Sequence, residues 1–448
     1  MTAQPLLLDG PGRVPMDADT AYRALLERLY ALSRGGTKLG LERTEQLMAE
    51  LGHPERERPT VHVAGSNGKG STSAFLASIL AASGRRVGLF TSPHLVSLTE
   101  RIQIVGPEGA EPIAAAELVR VAALVERRVS GFDAASFFEV MTALGLAAFR
   151  ELGAELDVIE AGLGARLDST RVVDAQVAVL TDLSLEHTNI LGDTLSDIAR
   201  EEGAVVRPGR PLVMADGPAE AMGVVDALAE SAGAPVLRLG RDFTTVRSTS
   251  ELEFDFTFAA RRISGAQLSL TGPHQARNAA LAVQAALLMD PDIEDDAIRL
   301  GLSRARWPGR MEARMSADGA SVLLDGAQNA HAAAALATAL EHPRFDRPLH
   351  FVFGALGDKD VGLMLGALAP RAASFAFTRP GSVRARTPES LRAHLRDLAP
   401  ALVSEAIESP TEAFAAACAR AARDGGWVVV CGSLYLVGDI RALLGDAA

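Results

Sequence analysis

The chain reads as two α/β domains, the larger one first, each built on a mostly parallel sheet covered by helices. Three observations predict this. Short apolar runs bounded by turn residues alternate with stretches of helical periodicity along most of the sequence. A glycine-rich turn lies between one such run and the helix after it. The length of 448 residues also exceeds what a single ordinary core accommodates.

In chain order, "VHVAG" from Val61 reads as a strand, "STSAFLASILAASG" as the helix after it, and "RRVGLFTS" as the next strand. "LDVIEAG", "AQVAVLTDL" and "RPLVMAD" follow as buried strands separated by helical segments. Repetition of strand then helix predicts a parallel sheet with both faces covered. Between about Val236 and Leu270 the pattern changes. There "FTTVRST", "ELEFDFTFA" and "AQLSL" alternate as half-exposed strands do, which predicts a small antiparallel insert. A long helix, "PHQARNAALAVQAALLM", comes next. "SRARWPGRME" reads as a hinge, and "SVLLDGA", "LHFVFGAL", "AASFAFT" and "GWVVVCGSLYLVG" as a second strand–helix series. The domains are therefore placed at residues 1–304 and 305–448.

Apolar residues make up 48% and charged ones 22%, the composition of a soluble globular protein. A formal net charge of −12 argues against nucleic-acid binding and requires a local basic site for any anionic ligand. Cys418 and Cys431 lack metal-ligand spacing and form no disulfide framework, which suits a reducing compartment. The opening "MTAQPLLLDGPGRVP" lacks a signal peptide's basic start and long apolar run, and no stretch approaches the roughly 18 apolar residues that span a bilayer. A cytoplasmic protein with no membrane partner is expected.

"VHVAGSNGKGST" places its glycine turn where backbone N–H groups at a helix N-terminus can cradle nucleotide phosphates. Gly65, Gly68 and Gly70 lack the Cβ atoms that would block close approach. Lys69 would reach the outer phosphates, and Ser71 could face a bound Mg²⁺. The spacing is shorter than the usual phosphate-loop pattern, with Ser66 and Asn67 alone between Gly65 and Gly68. Ser92, Glu160 and His187 each follow or end a strand of the same series, where ligands bind in open α/β sheets. Ser92 and Glu160 offer the oxygen donors Mg²⁺ prefers. His187 is a less usual ligand and, by itself, reads as a helix-cap or buried histidine sooner than as a ligand.

One further feature is electrostatic. "LGDTLSDIAREEG" reads as a capped helix ending in Glu201 and Glu202, where the macrodipole disfavours acids. A solvated pair balanced by Arg200 and Arg207 is the simple explanation.

"GSNGKGST" resembles the ATP loop of the Mur ligase superfamily, most of all the folylpolyglutamate synthase and dihydrofolate synthase branch, in which Gly-Ser follows the lysine. "KLGLERTEQLMAELG", "FTSPHLVSLTERI", "IEAGLGARLDST", "HTNILGDTLSDIA", "GPHQARNAALA", "WPGRME", "LLDGAQNAH", "VFGALGDKD" and "GSLYLVGDI" then follow in that family's order, almost end to end. The resemblance implies a P-loop-type domain followed by a smaller Rossmann-like domain. It implies ATP contacts from Asn67, Gly68, Lys69, Gly70, Ser71, Asn278, Arg310 and Asp325, and two Mg²⁺ sites served by Ser92, Glu160 and His187. Lys38, Leu39, Gly40, Phe137, Phe138, Leu167, Asp168 and Ser169 match regions that hold the pterin. Without the family, Asn278 reads as a helix-surface residue and the two phenylalanines as core. Arg384 and Arg386, in "SVRART", are candidates for an anionic glutamate tail or simply solvated.

The implied reaction is amide formation through an acyl phosphate. ATP phosphorylates a carboxylate of dihydropteroate or a reduced folate, and the amine of L-glutamate displaces phosphate, with Lys69, Glu160, His187, Glu202 and Arg310 as catalytic residues. Closure of the domains would exclude water, and a monomer suffices. The sequence departs from the family in three places. Where related chains read Glu-Lys-Ala-Gly, often with the lysine carbamoylated, this one reads Glu-Glu-Gly-Ala, so Glu202 stands in the lysine's place. Gln328 and Ala330 replace a histidine and a proline, with His331 retained. Ala165 and Arg171 stand where Gly and Asn are common. A muropeptide ligase is one alternative, but Thr would follow its lysine directly and an extra domain would precede residue 65. A non-catalytic nucleotide-binding relative is another, suggested by Glu202 and Gln328 and opposed by the retained Lys69, Glu160, His187, Arg310 and Asp325.

Overall fold

The computed structural model describes residues 17–33, 40–130, 132–247 and 253–445. Two units divide the chain: Glu253–Ser269 and Arg277–Arg306 belong to the first, Leu270–Ala276 and the residues from Trp307 onward to the second.

The sheet of the first unit has eight strands: β1 (Thr60–Ala64), β2 (Val87–Phe90), β3 (Ile102–Gly106), β4 (Gly109–Pro112), β5 (Leu156–Glu160), β6 (Val177–Leu180), β7 (Leu212–Met214) and β8 (Val236–Arg238). They lie in the order β4-β3-β2-β5-β1-β6-β7-β8. From β2 to β8 all neighbours are parallel, while β3 runs antiparallel to β2 and β4. The central strands are buried along their whole length because helices cover them, which is why they read as mainly apolar runs. Leu25, Leu47, Leu118 and Phe149, from four helices, join Phe90 and Ile159 in one core. Ile198 and Val225 join Ala178, Leu180 and Leu212 in another.

The antiparallel insert is smaller than expected. Val236–Arg238 extends the main sheet as β8, and the insert comprises β9 (Phe243–Arg247), β10 (Glu253–Phe258) and β11 (Arg261–Gln267). Its third strand begins earlier than "AQLSL" because Ala259 and Ala260 turn the chain, with Ala259 at φ +50. A two-residue hairpin loop normally announces itself with Gly or Asn, and this one carries neither.

The second unit holds β12 (Glu312–Met315), β13 (Ser321–Leu324), β14 (Leu349–Phe353), β15 (Ser374–Phe377), β16 (Val403–Ala406) and β17 (Trp427–Cys431), in the order β12-β13-β17-β14-β15-β16. Only β12 is antiparallel to its neighbour. The register sets Phe351 opposite Phe375 and Phe353 opposite Phe377, with ring centroids 5.0 and 6.0 Å apart, and these rings form the centre of the core. The edge strands β12 and β16 are polar and partly exposed, as edges resistant to further pairing are. Among the described residues no helix is long and apolar enough to cross a membrane.

Candidate active site

The glycine-rich loop leaves β1 at Ala64 and enters the helix Lys69–Ala82. Gly65 and Gly68 have φ of +129 and +88. A Cβ on Gly65 would lie 2.2 Å from Thr181 Oγ1, and one on Gly68 would lie 2.5 Å from Asn278 Oδ1. Left-handed backbone and protein neighbours thus each demand glycine at these two positions. The loop is laced to the segment after β6. Asp182 O accepts the Ser66 N–H at 2.8 Å, Ser66 Oγ donates to Ser184 O at 2.9 Å, and Asn67 Nδ2 donates to Ser184 Oγ at 2.9 Å. Lys69 Nζ donates to Gly65 O and Ser66 O, so its charge sits over the loop. Ser71 is buried in the first turn of the helix.

Glu202 reaches this loop. It is 3% exposed, and its Oε2 accepts the Gly65 N–H at 2.9 Å. Burial raises its carboxyl above the ordinary value, the Lys69 charge and the Gly65 N–H pull it down, and Asp168 and Glu186 push it up. Glu201 turns elsewhere: its side chain accepts Arg166 Nε at 2.8 Å and its carbonyl accepts the Ala165 N–H at 2.9 Å. A solvated pair balanced by Arg200 and Arg207 is therefore not what forms. Arg200 pairs with Asp197, and Arg207 donates to the carbonyls of Arg171 and Val173.

The strand order brings Ser92, Glu160, the loop and His187 to one edge, since β2, β5, β1 and β6 are successive neighbours. Glu160 ends β5 opposite Val63, two residues before Gly65. Its Oε2 accepts the Ser92 N–H at 2.9 Å, joining two of the three metal candidates directly. His187 is left-handed at φ +51 and its Nε2 lies 3.8 Å from Glu186 Oε1. Among the described residues no group of three His, Cys, Asp or Glu side chains is arranged to hold a metal ion by itself. Mg²⁺ takes oxygen ligands, keeps several waters and binds through one or two carboxylates plus substrate phosphates. The hydroxyl and carboxylate oxygens at this edge fit it.

The segment after β5 forms a loop held by Asp168. Its Oδ2 accepts the N–H groups of Gly162 at 3.1 Å and Leu163 at 3.0 Å, while Oδ1 accepts the Thr170 N–H at 3.0 Å and its hydroxyl at 2.5 Å. Ser169 is buried beside it and Leu167 half-buried. Phe138 lies against Gly162, where an added Cβ would come 2.6 Å from its ring. Phe137 stacks on Tyr30 with centroids 6.0 Å apart, and the Arg101 guanidinium sits 5.2 Å above its ring. Gly40 has φ +148; Lys38 and Leu39 lie outside the described residues.

Asn278 is buried in the helix Pro273–Met289, touching Gly68, and the preceding Arg277 donates to Asp182 Oδ1 at 2.8 Å. In the second unit, Asp325 follows β13 and accepts the N–H groups of Met311 and Ala327, each at 2.9 Å. The Arg310 guanidinium lies across Gly326, whose added Cβ would fall 1.7 Å from Nη1. Gln328 is half-buried and His331 exposed at the start of the next helix. Arg386 donates to the carbonyls of Gly357 and Lys359, while Arg384 is exposed. The sequence reading missed Asp182, Ser184 and Arg277, whose partners lie in distant segments of the chain, so no local spacing marks them; it also missed Glu186, beside His187.

A phosphate loop at the carboxyl edge of a parallel sheet, with hydroxyl, carboxylate and imidazole groups on adjacent strand ends, defines a nucleotide-binding protein of the α/β class. Residues 309–434 match the family model described as Mur ligase, glutamate ligase domain. A Haloferax volcanii protein, named a probable bifunctional folylpolyglutamate synthase/dihydropteroate synthase, is 38% identical over 435 residues, covering 94% of this chain and 50% of that protein. This chain therefore spans about half the length of that relative. A Bacillus subtilis dihydrofolate synthase/folylpolyglutamate synthase is 34% identical over 439 residues, covering 95% and 99% of the two chains. Among solved structures, Mycobacterium tuberculosis folylpolyglutamate synthase complexed with ADP superposes with a TM-score of 0.88 at 32% identity, covering 96% of this chain and 100% of that one. E. coli FolC in complex with DHPP and ADP gives 0.85 at 30% identity, covering 95% and 98%. The chain belongs to the folylpolyglutamate synthase/dihydrofolate synthase family.

Proposed function

We propose that this protein is an ATP-dependent ligase that joins the amino group of L-glutamate to a carboxyl group of dihydropteroate, of the glutamate tail of a reduced folate, or of both. The observation that supports it is the single edge on which Lys69, Glu202, Glu160 and Ser92 gather around the loop after β1. Family membership and the ligands of the E. coli relative supply the substrate class.

In this reading the backbone of Asn67, Gly68 and Gly70, with Ser71, holds the phosphates, and Lys69 supplies a point charge to the group in transfer. Asn278, Arg310 and Asp325 are further nucleotide contacts. Ser92, Glu160 and His187 would hold Mg²⁺ at two sites, which when bound neutralises phosphate charge. Glu202 supplies, as an encoded side chain, the carboxylate that related chains obtain from a carbamoylated lysine. Transfer of the γ-phosphoryl group to the substrate carboxylate gives an acyl phosphate and ADP. The glutamate amine then attacks the acyl carbon, forming the amide, releasing inorganic phosphate and losing a proton. Gly40, Phe137, Phe138 and the residues Leu167, Asp168 and Ser169 shape the heteroaromatic end of the site, since flat rings stack well on phenylalanine. One chain carries every residue named, so a monomer suffices. The buried thiols of Cys418 and Cys431 suit a cytoplasmic setting.

The test is ADP release with dihydropteroate and, separately, tetrahydrofolate, each with and without L-glutamate, with the product identified by mass. Turnover that requires both substrates and yields the glutamylated product is expected. Nucleotide binding without glutamate-dependent turnover on either acceptor would overturn the reading.

A further inference from the structure

We propose that His62, Thr170 and Asp168 form a buried hydrogen-bond relay that positions the loop 162–168 as one wall of the acceptor site. His62 and Thr170 are positioning residues that never touch substrate. The inference rests on the acceptor site described above.

The relay starts from a saturated carboxylate. Asp168 receives four donors on its two oxygens, from Gly162, Leu163 and, twice, Thr170. A carboxylate has roughly four lone-pair sites, so none is left for a ligand. Asp168 therefore serves the acceptor by fixing the loop, and it is fully committed to that. Gly162 in turn rests against the Phe138 ring, so the pinned amides and that ring make one surface.

The direction of the relay follows from Thr170. Its one hydroxyl hydrogen goes to Asp168, so toward His62 it can only accept. His62 Nε2 lies 2.8 Å away and must carry the hydrogen. His62 Nδ1 is then a lone pair, and it faces Arg207 Nη2 at 3.5 Å. Every donor points toward Asp168. His62 is fully buried in the middle of β1, where burial and then the Arg171 charge hold its pKa at about 3, so the ring stays neutral and its partners set the tautomer. A histidine inside an otherwise apolar stretch of a central strand has, in this relay, its reason for being there.

Two variants and one measurement on the unmodified protein test this. Thr170→Val keeps the shape and removes the hydroxyl; Thr170→Ser keeps the hydroxyl and removes the methyl. The expected result is that Val raises KM for the pteroate acceptor about tenfold, the effect of leaving a buried donor unpaired. Its affinity for ADP, measured by calorimetry, stays within about twofold, and Ser stays within about threefold of wild type on both readouts. Equal impairment by Val and Ser, an unchanged acceptor KM in Val, or parallel loss of ADP binding in Val would each overturn the relay. Nitrogen NMR of histidine-labelled wild-type protein reads the tautomer without any substitution. A neutral His62 protonated on Nε2 is expected, and protonation on Nδ1 would overturn the proposal even where Thr170→Val fails to fold. Wild-type protein that turns over no pteroate acceptor would instead sink the functional reading, with the tautomer still deciding whether the relay exists.

Discussion

Glu202 accepts the amide hydrogen of Gly65 at 2.9 Å, so the end of the helix Leu195–Gly203 is tied to the first residue of the phosphate loop. Its neighbour Glu201 ties the same helix end to the loop around Ala165 and Arg166. Two adjacent acids at the unfavourable end of a helix dipole thus hold two different loops, and the donors of those loops offset the dipole.

Substitutions at Glu202 separate its acceptor role from its charge. Glu202→Gln keeps an oxygen for the Gly65 N–H and loses the charge, so it should fold and bind ADP while its turnover falls and its Mg²⁺ requirement rises. Glu202→Ala also orphans a buried N–H, at a cost of about 1–3 kcal/mol in unfolding free energy. Glu202→Lys should be inactive in CO₂-free buffer and regain turnover with bicarbonate, because reaction of the amine with CO₂ restores a carboxylate and releases a proton. Steady-state kinetics over a Mg²⁺ titration, with and without bicarbonate, checks all three; a Gln variant with wild-type turnover and Mg²⁺ dependence would refute the charge role.

Gly65→Ala should abolish nucleotide binding. The added methyl meets Thr181 Oγ1 at 2.2 Å and the Thr181 backbone N at 3.1 Å, on a residue held at φ +129. Because backbone as well as side chain stands in the way, Thr181→Ala in the same chain should not restore binding. Calorimetric titration with ADP reads both outcomes, and recovery in the double variant would show that the side chain alone is the obstacle.

In the second unit, Gly326→Ala should act through Arg310. The new Cβ would fall 1.7 Å from Nη1, forcing the guanidinium off Gly326. The losses in kcat/KM from Gly326→Ala and Arg310→Ala should then fail to add, since residues in contact are coupled. Asp325→Asn offers one carbonyl to two N–H groups. The amides of Met311 and Ala327 should therefore exchange faster, the Asn variant losing about 1–3 kcal/mol locally. Hydrogen exchange resolved to those two amides provides the check.

His62 gives a pH dependence with a definite sign. Its pKa is about 3 in the folded protein and near the ordinary 6.5 when unfolded. The unfolded chain therefore takes up the proton first as pH falls, and the group's contribution to stability is lost on acidification below 6.5. His62→Gln lacks this group. Between pH 6 and pH 4 the stability advantage of wild type over His62→Gln should shrink by about 1.4 kcal/mol per pH unit. Denaturant titrations of both proteins across that range measure the slope, and parallel curves would contradict it.

What was legible in the chain is what one strand or loop encodes by itself. The runs that became β1, β5, β6, β14 and β17 are mostly apolar because both faces are covered, and the glycine loop is contiguous. Pairings between distant segments were not legible. Ser184 holds Asn67 and Ser66 of the phosphate loop from 117 and 118 residues away, Asp182 takes the Ser66 N–H from similarly far along the chain, and the Ala259–Ala260 hairpin uses residues that carry no turn signal. Edge strands such as β12 and β16 escaped for a related reason: half-exposed and charged, they resemble loops until a neighbour pairs with them. The destination of Glu202 lay between these cases. Its misfit with the dipole was visible in sequence, and the loop that resolves it was not.

His187 holds a left-handed backbone, φ +51, that histidine adopts less readily than glycine or asparagine. The expectation is a trade-off at a single position: His187→Gly relaxes the backbone by about 1 kcal/mol while removing the imidazole from the nucleotide edge. A thermostability screen run without an activity assay would therefore tend to discard this histidine, and any stabilised version of the enzyme should be designed with residue 187 held fixed.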